Sequence, residues 1–97
     1  MSKYEEIVWI IETLSNDSEE KGYELVQCAE SLGRVTASFS GIINGTNDSS
    51  AKTVYGSFIT AQKELYKAAK ALLTAASTGH DWCEGTSPKL QLKKVRR

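Results

Sequence analysis

Gly41-Ile42-Ile43-Asn44-Gly45-Thr46-Asn47-Asp48-Ser49-Ser50 is the stretch that divides this chain. Glycine, asparagine, aspartate and serine crowd here because each tolerates or caps a tight change of direction. On either side, apolar residues return at spacings of three and four. Upstream the register reads Tyr4, Ile7, Ile11, Leu14, then Ser18 and Lys21 as a polar break, then Leu25, Cys28, Leu32, Val35, Phe39 and Ile42. Downstream it reads Ala51, Val54, Phe58, Ala61, Leu65, Ala68, Leu72 and Ala75. That is the period of helices packed along a seam. Two such segments around one turn predict an all-α fold, an antiparallel two-helix hairpin.

The first helix has one ambiguous point. Ser15-Asn16-Asp17-Ser18-Glu19-Glu20 reads like a helix N-cap followed by first-turn acids. The segment is therefore either one helix kinked near 16–18 or two helices, near 3–15 and 18–40. One kinked helix is preferred, because no Pro or Gly stands there. The second helix is expected from about Ser50 to Ser77, capped by Asp48, Ser49 or Ser50, with Gly79 as its C-terminal stop. This divides the chain into a hairpin over 1–79 and a C-terminal extension over 80–97. In the extension, Leu90, Leu92 and Val95 alternate as a short extended piece would, and the last residues are expected to be disordered.

The second helix carries a further apolar row, Tyr55, Ile59, Tyr66, Ala69, Leu73 and Ala76. The combined stripe is wider than a two-helix seam needs. A four-helix bundle, completed by dimerisation or by a helical partner, is the expected outcome. The expected partner interface is Trp9, Tyr55, Phe58, Ile59, Leu65, Tyr66, Leu72 and Leu73. Lys63, Lys67 and Lys70 line the remaining face. Trp82 is costly to leave in water, so it is expected to fold back on the hairpin or meet a partner.

Composition sets the outer bounds. The chain has 97 residues, 40% hydrophobic and 25% charged, which suits one small folded domain rather than a disordered segment. Formal net charge is zero, but unevenly spread. Residues 1–40 hold eight acids against three bases, and residues 88–97 hold five bases and no acid. Such asymmetry invites head-to-tail contact. The apolar run Ile7–Ile11 is short and follows Glu5 and Glu6, so a secretory signal peptide is not expected. No stretch approaches the roughly 20 apolar residues of a membrane span.

Chemistry-bearing patterns are few. His80-Asp81-Trp82-Cys83 places a His and a Cys at three-residue spacing, but zinc needs four ligands, and no Cys–His nucleophile pair with an orienting third group is expected. Cofactor and metal are therefore both expected to be absent, and Cys28 and Cys83 to be free thiols. Glu5, Glu6 and Glu12, and Glu19, Glu20 and Glu24, read as a solvated helix face rather than general acids. The tail Lys93-Lys94-Val95-Arg96-Arg97 could touch nucleic acid or anionic lipid, yet it has no aromatic platform beside it. Three Asn-x-Ser/Thr triplets, at Asn16, Asn44 and Asn47, read as turn and cap chemistry.

With two helices in about a hundred residues, a turn near residue 42 and no active-site pattern, the chain resembles the WXG superfamily of small type VII secretion proteins of Gram-positive bacteria. In that family a Trp-x-Gly motif marks the junction of helix 1 and turn, and Phe39-Ser40-Gly41 stands in its place here. The resemblance implies that Phe39 packs against the start of the second helix and that Gly41 adopts a left-handed backbone. Tyr55 and Phe58 resemble the aromatics that follow the motif. Three departures stand out: Phe replaces Trp, the loop is longer, and the Tyr-x-x-x-Asp/Glu secretion signal is missing, since no Tyr follows Tyr66. They make the chain similar to the divergent helical partners of LXG-type toxins. The resemblance implies a non-enzymatic protein, cytoplasmic before export, that dimerises or binds a toxin's helical N-terminal region and leaves by a route independent of a signal peptide. Two other readings stay open: a small nucleic-acid-binding, antitoxin-like regulator using Lys93, Lys94, Arg96 and Arg97, and an immunity or adaptor protein that caps a toxin through Glu19, Glu20 and Glu24.

Overall fold

A computed structural model describes residues 2–95, and side chains over 2–86. It holds two helices, α1 (Lys3–Asn44) and α2 (Ser49–Val95), packed antiparallel along their length. Each start has a cap. The Ser2 hydroxyl accepts from the Glu5 N–H at 3.1 Å, and Glu5 and Glu6 place negative charge on the first turn of α1, where the helix dipole favours it. At the second start, Asp48 Oδ1 accepts from the Ala51 N–H at 3.1 Å. Of the three candidate caps, Asp48 takes the role.

Helix α1 is continuous through 16–18, so no second helix begins there. The polar run reads as a cap in the sequence, yet it lies along the hairpin seam. Ser15 is buried, and Ser18 Oγ donates to the Leu72 carbonyl at 2.7 Å. Side chains that look like a helix start instead join two helices in their middle.

The turn is shorter than its composition suggests. Helix α1 runs past Phe39, Ser40 and Gly41 and ends at Asn44, with the Gly45 N–H bonded to the Gly41 carbonyl at 3.1 Å. No described glycine has positive φ. The left-handed backbone expected at Gly41 is therefore absent, and Gly41 is an exposed residue inside a helix. The reversal is made by Gly45–Asp48.

At the other end, α2 passes through Gly79, Gly85 and Pro88 without a break. The stop expected at Gly79 does not occur, and Leu90, Leu92 and Val95 lie on helical rather than extended backbone. Gly79 has a different task. A Cβ there would collide with the Ser15 side chain, so the glycine lets α1 and α2 approach. Residues 96 and 97 lie outside the described residues.

The seam itself follows a strict repeat. Val8, Ser15, Gly22, Ala29 and Thr36 are the buried residues of α1, each seven after the last. Their counterparts on α2 are Tyr55, Gln62, Ala69, Ala76 and Cys83, again seven apart, of which the last three are buried. Seven residues is the coiled-coil period. One of the two rows expected in each helix is displaced by one position: Ile7, Leu14, Val35, Ile42 and Val54 are exposed, while the other row, with Ile11, Leu25, Leu32, Leu65 and Leu72, stays half-buried at the seam. The central positions go to small residues. Small residues win because they let the backbones come close: a Cβ on Gly22 would lie 2.8 Å from Leu73 Cγ, and one on Gly33 would strike the Gln62 amide.

Polar bonds tie the seam at several levels. The Tyr55 hydroxyl donates to the Thr36 carbonyl near the turn. Near the free ends, His80 Nε2 meets Glu19 Oε2 at 3.1 Å, and Cys83 Sγ points to the Val8 carbonyl at 3.8 Å. The result is a rod of 76 × 18 × 15 Å. Its radius of gyration is 21.5 Å, against about 12–13 Å for a compact domain of this length.

Candidate functional site

Packing on the small central rows leaves the large residues outside, and it sorts them. One position before each central residue lies an outer row. On α1 it reads Ile7, Leu14, Lys21, Cys28, Val35 and Ile42; on α2 it reads Val54, Ala61, Ala68, Ala75 and Trp82. In an antiparallel pair these two outer rows border the same side of the seam. That side is the front face. The opposite side, the back face, carries Glu19, Val26, Ile59, Tyr66, Leu73 and His80.

The faces differ in chemistry. Among the described residues thirteen large apolar side chains are exposed, and nine of them border the front face: Tyr4, Ile7, Leu14, Val35, Phe39, Ile42, Val54, Phe58 and Trp82. Ile42 is 70% exposed and Phe58 51%. Near the turn they form a groove of about 550 Å³ between the helices, walled by residues such as Val35, Phe39, Ile42, Val54 and Phe58. At the other end Tyr4 and Trp82 stack at a tilt, ring centroids 6.3 Å apart. Trp82 does not fold back from an extension: it stands on the continuous α2, faces Tyr4 of α1 and stays 37% exposed. Two large apolar clusters at the ends of one side of a rod, with alanines, Cys28 and Lys21 between them, mark an association surface.

The residues expected to form the partner interface do not share one side. Phe58 is on the front. Ile59, Tyr66 and Leu73 belong to the back, Leu65 and Leu72 are half-buried beside the seam, and Tyr55 lies in the seam. Trp9 is 61% exposed on the outer surface of α1, where Thr13 Oγ1 donates to its carbonyl at 2.8 Å. The front-face residues Ile7, Leu14, Val35, Ile42 and Val54 were visible in the sequence, but as the hairpin's own seam. What could have moved them is the exact seven-residue spacing of small residues beside them. Side chains of Lys93 and Lys94 lie outside the described ones, as do Arg96 and Arg97 altogether.

The back face has two grooves, one beside Glu19 and His80 that is mixed in polarity and one along Val26, Tyr66, Ala69 and Leu73 that is mainly apolar. Glu19 and His80 pair across the face, and Lys21 bonds Glu24 within α1 at 3.6 Å. Two of the three acids considered for toxin capping thus have partners within the chain. Both cysteines are free, Cys28 exposed and Cys83 buried. Burial pushes the Cys83 thiol pKa up, and the nearby Glu12 carboxylate adds to the effect, which makes this thiol a poor nucleophile. Among the described residues no three His, Cys, Asp or Glu side chains gather as a metal set, and no helix is long and apolar enough to cross a membrane. Searches against family models, curated proteins and solved structures found no match to this chain.

Proposed function

We propose that this chain is a non-enzymatic helical association module that pairs through its front face with another helical hairpin, as a type VII secretion-associated protein does. The observation that carries the reading is the set of nine large apolar side chains on one side of the rod. Apolar surface of this kind is driven out of water at about 25 cal/mol per Å², and among the described residues no third element covers it. Small size, all-helical hairpin architecture and aromatic residues on both sides of the turn support the export-related part. That support is architectural, because Phe39-Ser40-Gly41 lies within α1 and not at the turn.

Phe58→Asp places a charge in the turn-end groove of the front face, and Tyr66→Asp places one on the back. Sedimentation should show the wild type and Tyr66→Asp associated, and Phe58→Asp monomeric with unchanged helical circular dichroism. Equal mass for all three at high concentration, alone and mixed with the helical N-terminal region of an LXG-type toxin, would sink the reading. The export-related part has its own check: deleting the export ATPase of a native host should keep this chain, or the protein it pairs with, out of the medium. Unchanged export would leave association standing and remove the secretion role.

A further inference from the structure

We propose that the back face is a second docking site: a trough that receives one amphipathic helix of another protein, its apolar stripe on Val26, Tyr66 and Leu73 and a cluster of Lys or Arg at one end against Glu19 and Asp81. The site is separate from the front face and does not depend on the association proposed there.

Two grooves make the trough. One of about 270 Å³ lies beside Glu19, Tyr23, His80 and Asp81, and one of about 490 Å³ lies along Val26, Tyr66, Ala69 and Lys70. Both touch Leu73 and Ser77, so they are continuous. The sequence explains the shape. The floor is small because Ala69 and Ala76 belong to the close-packed central row and are buried. The walls are larger, and Tyr23 and Tyr66 stand exposed on them, as aromatic side chains at interfaces do. From Tyr66 to Asp81 the trough follows α2 for about 22 Å, the length of about four helical turns. A helix fits it better than an extended segment. The polar side chains lining the apolar groove are Lys70, Thr74 and Ser77, besides the Tyr66 hydroxyl. An extended segment would lay its peptide N–H and C=O groups on Val26, Ala69 and Leu73 and lose their bonds to water, whereas a helix brings those groups already paired.

Charge selects the occupant. Glu19 and Asp81 line the groove nearer the free ends. Glu12, seven residues before Glu19, and Glu84, seven after Ser77, continue the two edges. The basic side chain lining that groove is His80, and it already meets Glu19 at 3.1 Å. Glu12, Asp81 and Glu84 form no ion pair among the described residues. Toward the turn the edges carry Lys63 and Lys70 against Glu30, which is a mixed set. The trough is therefore strongly acidic at one end and nearly balanced at the other. A helix with Lys or Arg at one end meets that pattern in one direction only, and an acidic helix is repelled. The front-face groove has no such preference, since no charged side chain lines it.

The probe is a displayed library of helical peptides, about four to five turns long, panned against the full-length chain. Selected peptides should carry an apolar stripe with Lys or Arg grouped at one end. Their affinity should fall about tenfold or more for Tyr66→Asp, fall as well for Asp81→Lys, and stay unchanged for Phe58→Asp. In Asp81→Lys, exchanging the peptide's basic residues for Glu should restore binding, which a misfolded variant could not do. Rising salt should weaken the wild-type pairing. Binding that survives a proline at the peptide's centre marks an extended occupant and overturns the helix. Peptides released by Phe58→Asp but not by Tyr66→Asp belong to the front face and overturn the back-face site, as does a library that yields no binder. Peptides without a basic end, or indifferent to Asp81→Lys, overturn the charge assignment. Front-face association is read separately, by sedimentation of the same variants: loss of peptide binding in Tyr66→Asp with its mass unchanged shows that the two surfaces are distinct.

Discussion

Glycine has two separate jobs in this chain, and single substitutions tell them apart. Gly41 is an exposed interior position of α1 with open space where a Cβ would go. Gly41→Ala should therefore stabilise the fold by about 0.5–1 kcal/mol, the ordinary helix gain. If Gly41 held the left-handed conformation that its resemblance to a Trp-x-Gly motif implies, the same change would destabilise. Gly79 faces the Ser15 side chain across the seam. There the added methyl forces the helices apart, and overpacking costs of about 1–3 kcal/mol outweigh the helix gain. Denaturant titration at fixed protein concentration should show opposite signs for the two variants. Cys83 supplies a pH test at the same scale. Its thiol holds its proton more tightly folded than unfolded. As pH rises above the ordinary thiol range the unfolded chain loses that proton first, so stability falls. Below that range the thiol is protonated in both states, and its contribution is fully present. Cys83→Ala should flatten this alkaline loss relative to the wild type, and an unchanged slope would mean that burial of the thiol is not what sets it.

Among the elements, the turn and the two helices were legible from composition and period alone: Gly45 and Asp48 are where turn chemistry is densest, and apolar spacings of three and four fill both sides. Which row faces the seam was not legible, for a physical reason. Apolar count ranks Ile7, Leu14, Val35 and Ile42 above Ser15, Gly22 and Ala29, yet close approach of two backbones selects the smaller set. The same confusion hid the candidate site, because its residues had been spent on the core. Breakers misled in parallel. Gly79, Gly85 and Pro88 predict a stop after Ser77, but seam contacts on α2 continue at Gly79, His80 and Cys83, and tertiary packing outweighs local propensity. The cap of α2 is simpler, since one carboxylate serves it. Asp48→Ala removes the acceptor for the Ala51 N–H and should cost about 1 kcal/mol. Asp48→Asn should recover most of it, measured by the same titration. Equal losses for both would assign the effect to charge rather than to the cap.

For the whole molecule, the deciding quantity is surface. Among the described residues no large side chain is fully buried, so the hairpin has a seam rather than a core. Its own contacts are small-residue contacts, which are close in distance but low in apolar area. Much of the apolar area sits on the front face, where only a partner can remove it from water. Folding and association should therefore be one transition. If the folded form is a dimer and the unfolded form a single chain, stability depends on protein concentration. Each tenfold increase should then add about 1.4 kcal/mol to apparent stability. Thermal melts across a hundredfold range of concentration should show the midpoint rising steadily for the wild type. For Phe58→Asp the midpoint should be low and independent of concentration, because the charge in the front-face groove leaves only the seam. A wild-type midpoint that does not move with concentration would mean that the small-residue seam carries the fold alone, and that the front face is surplus to its stability.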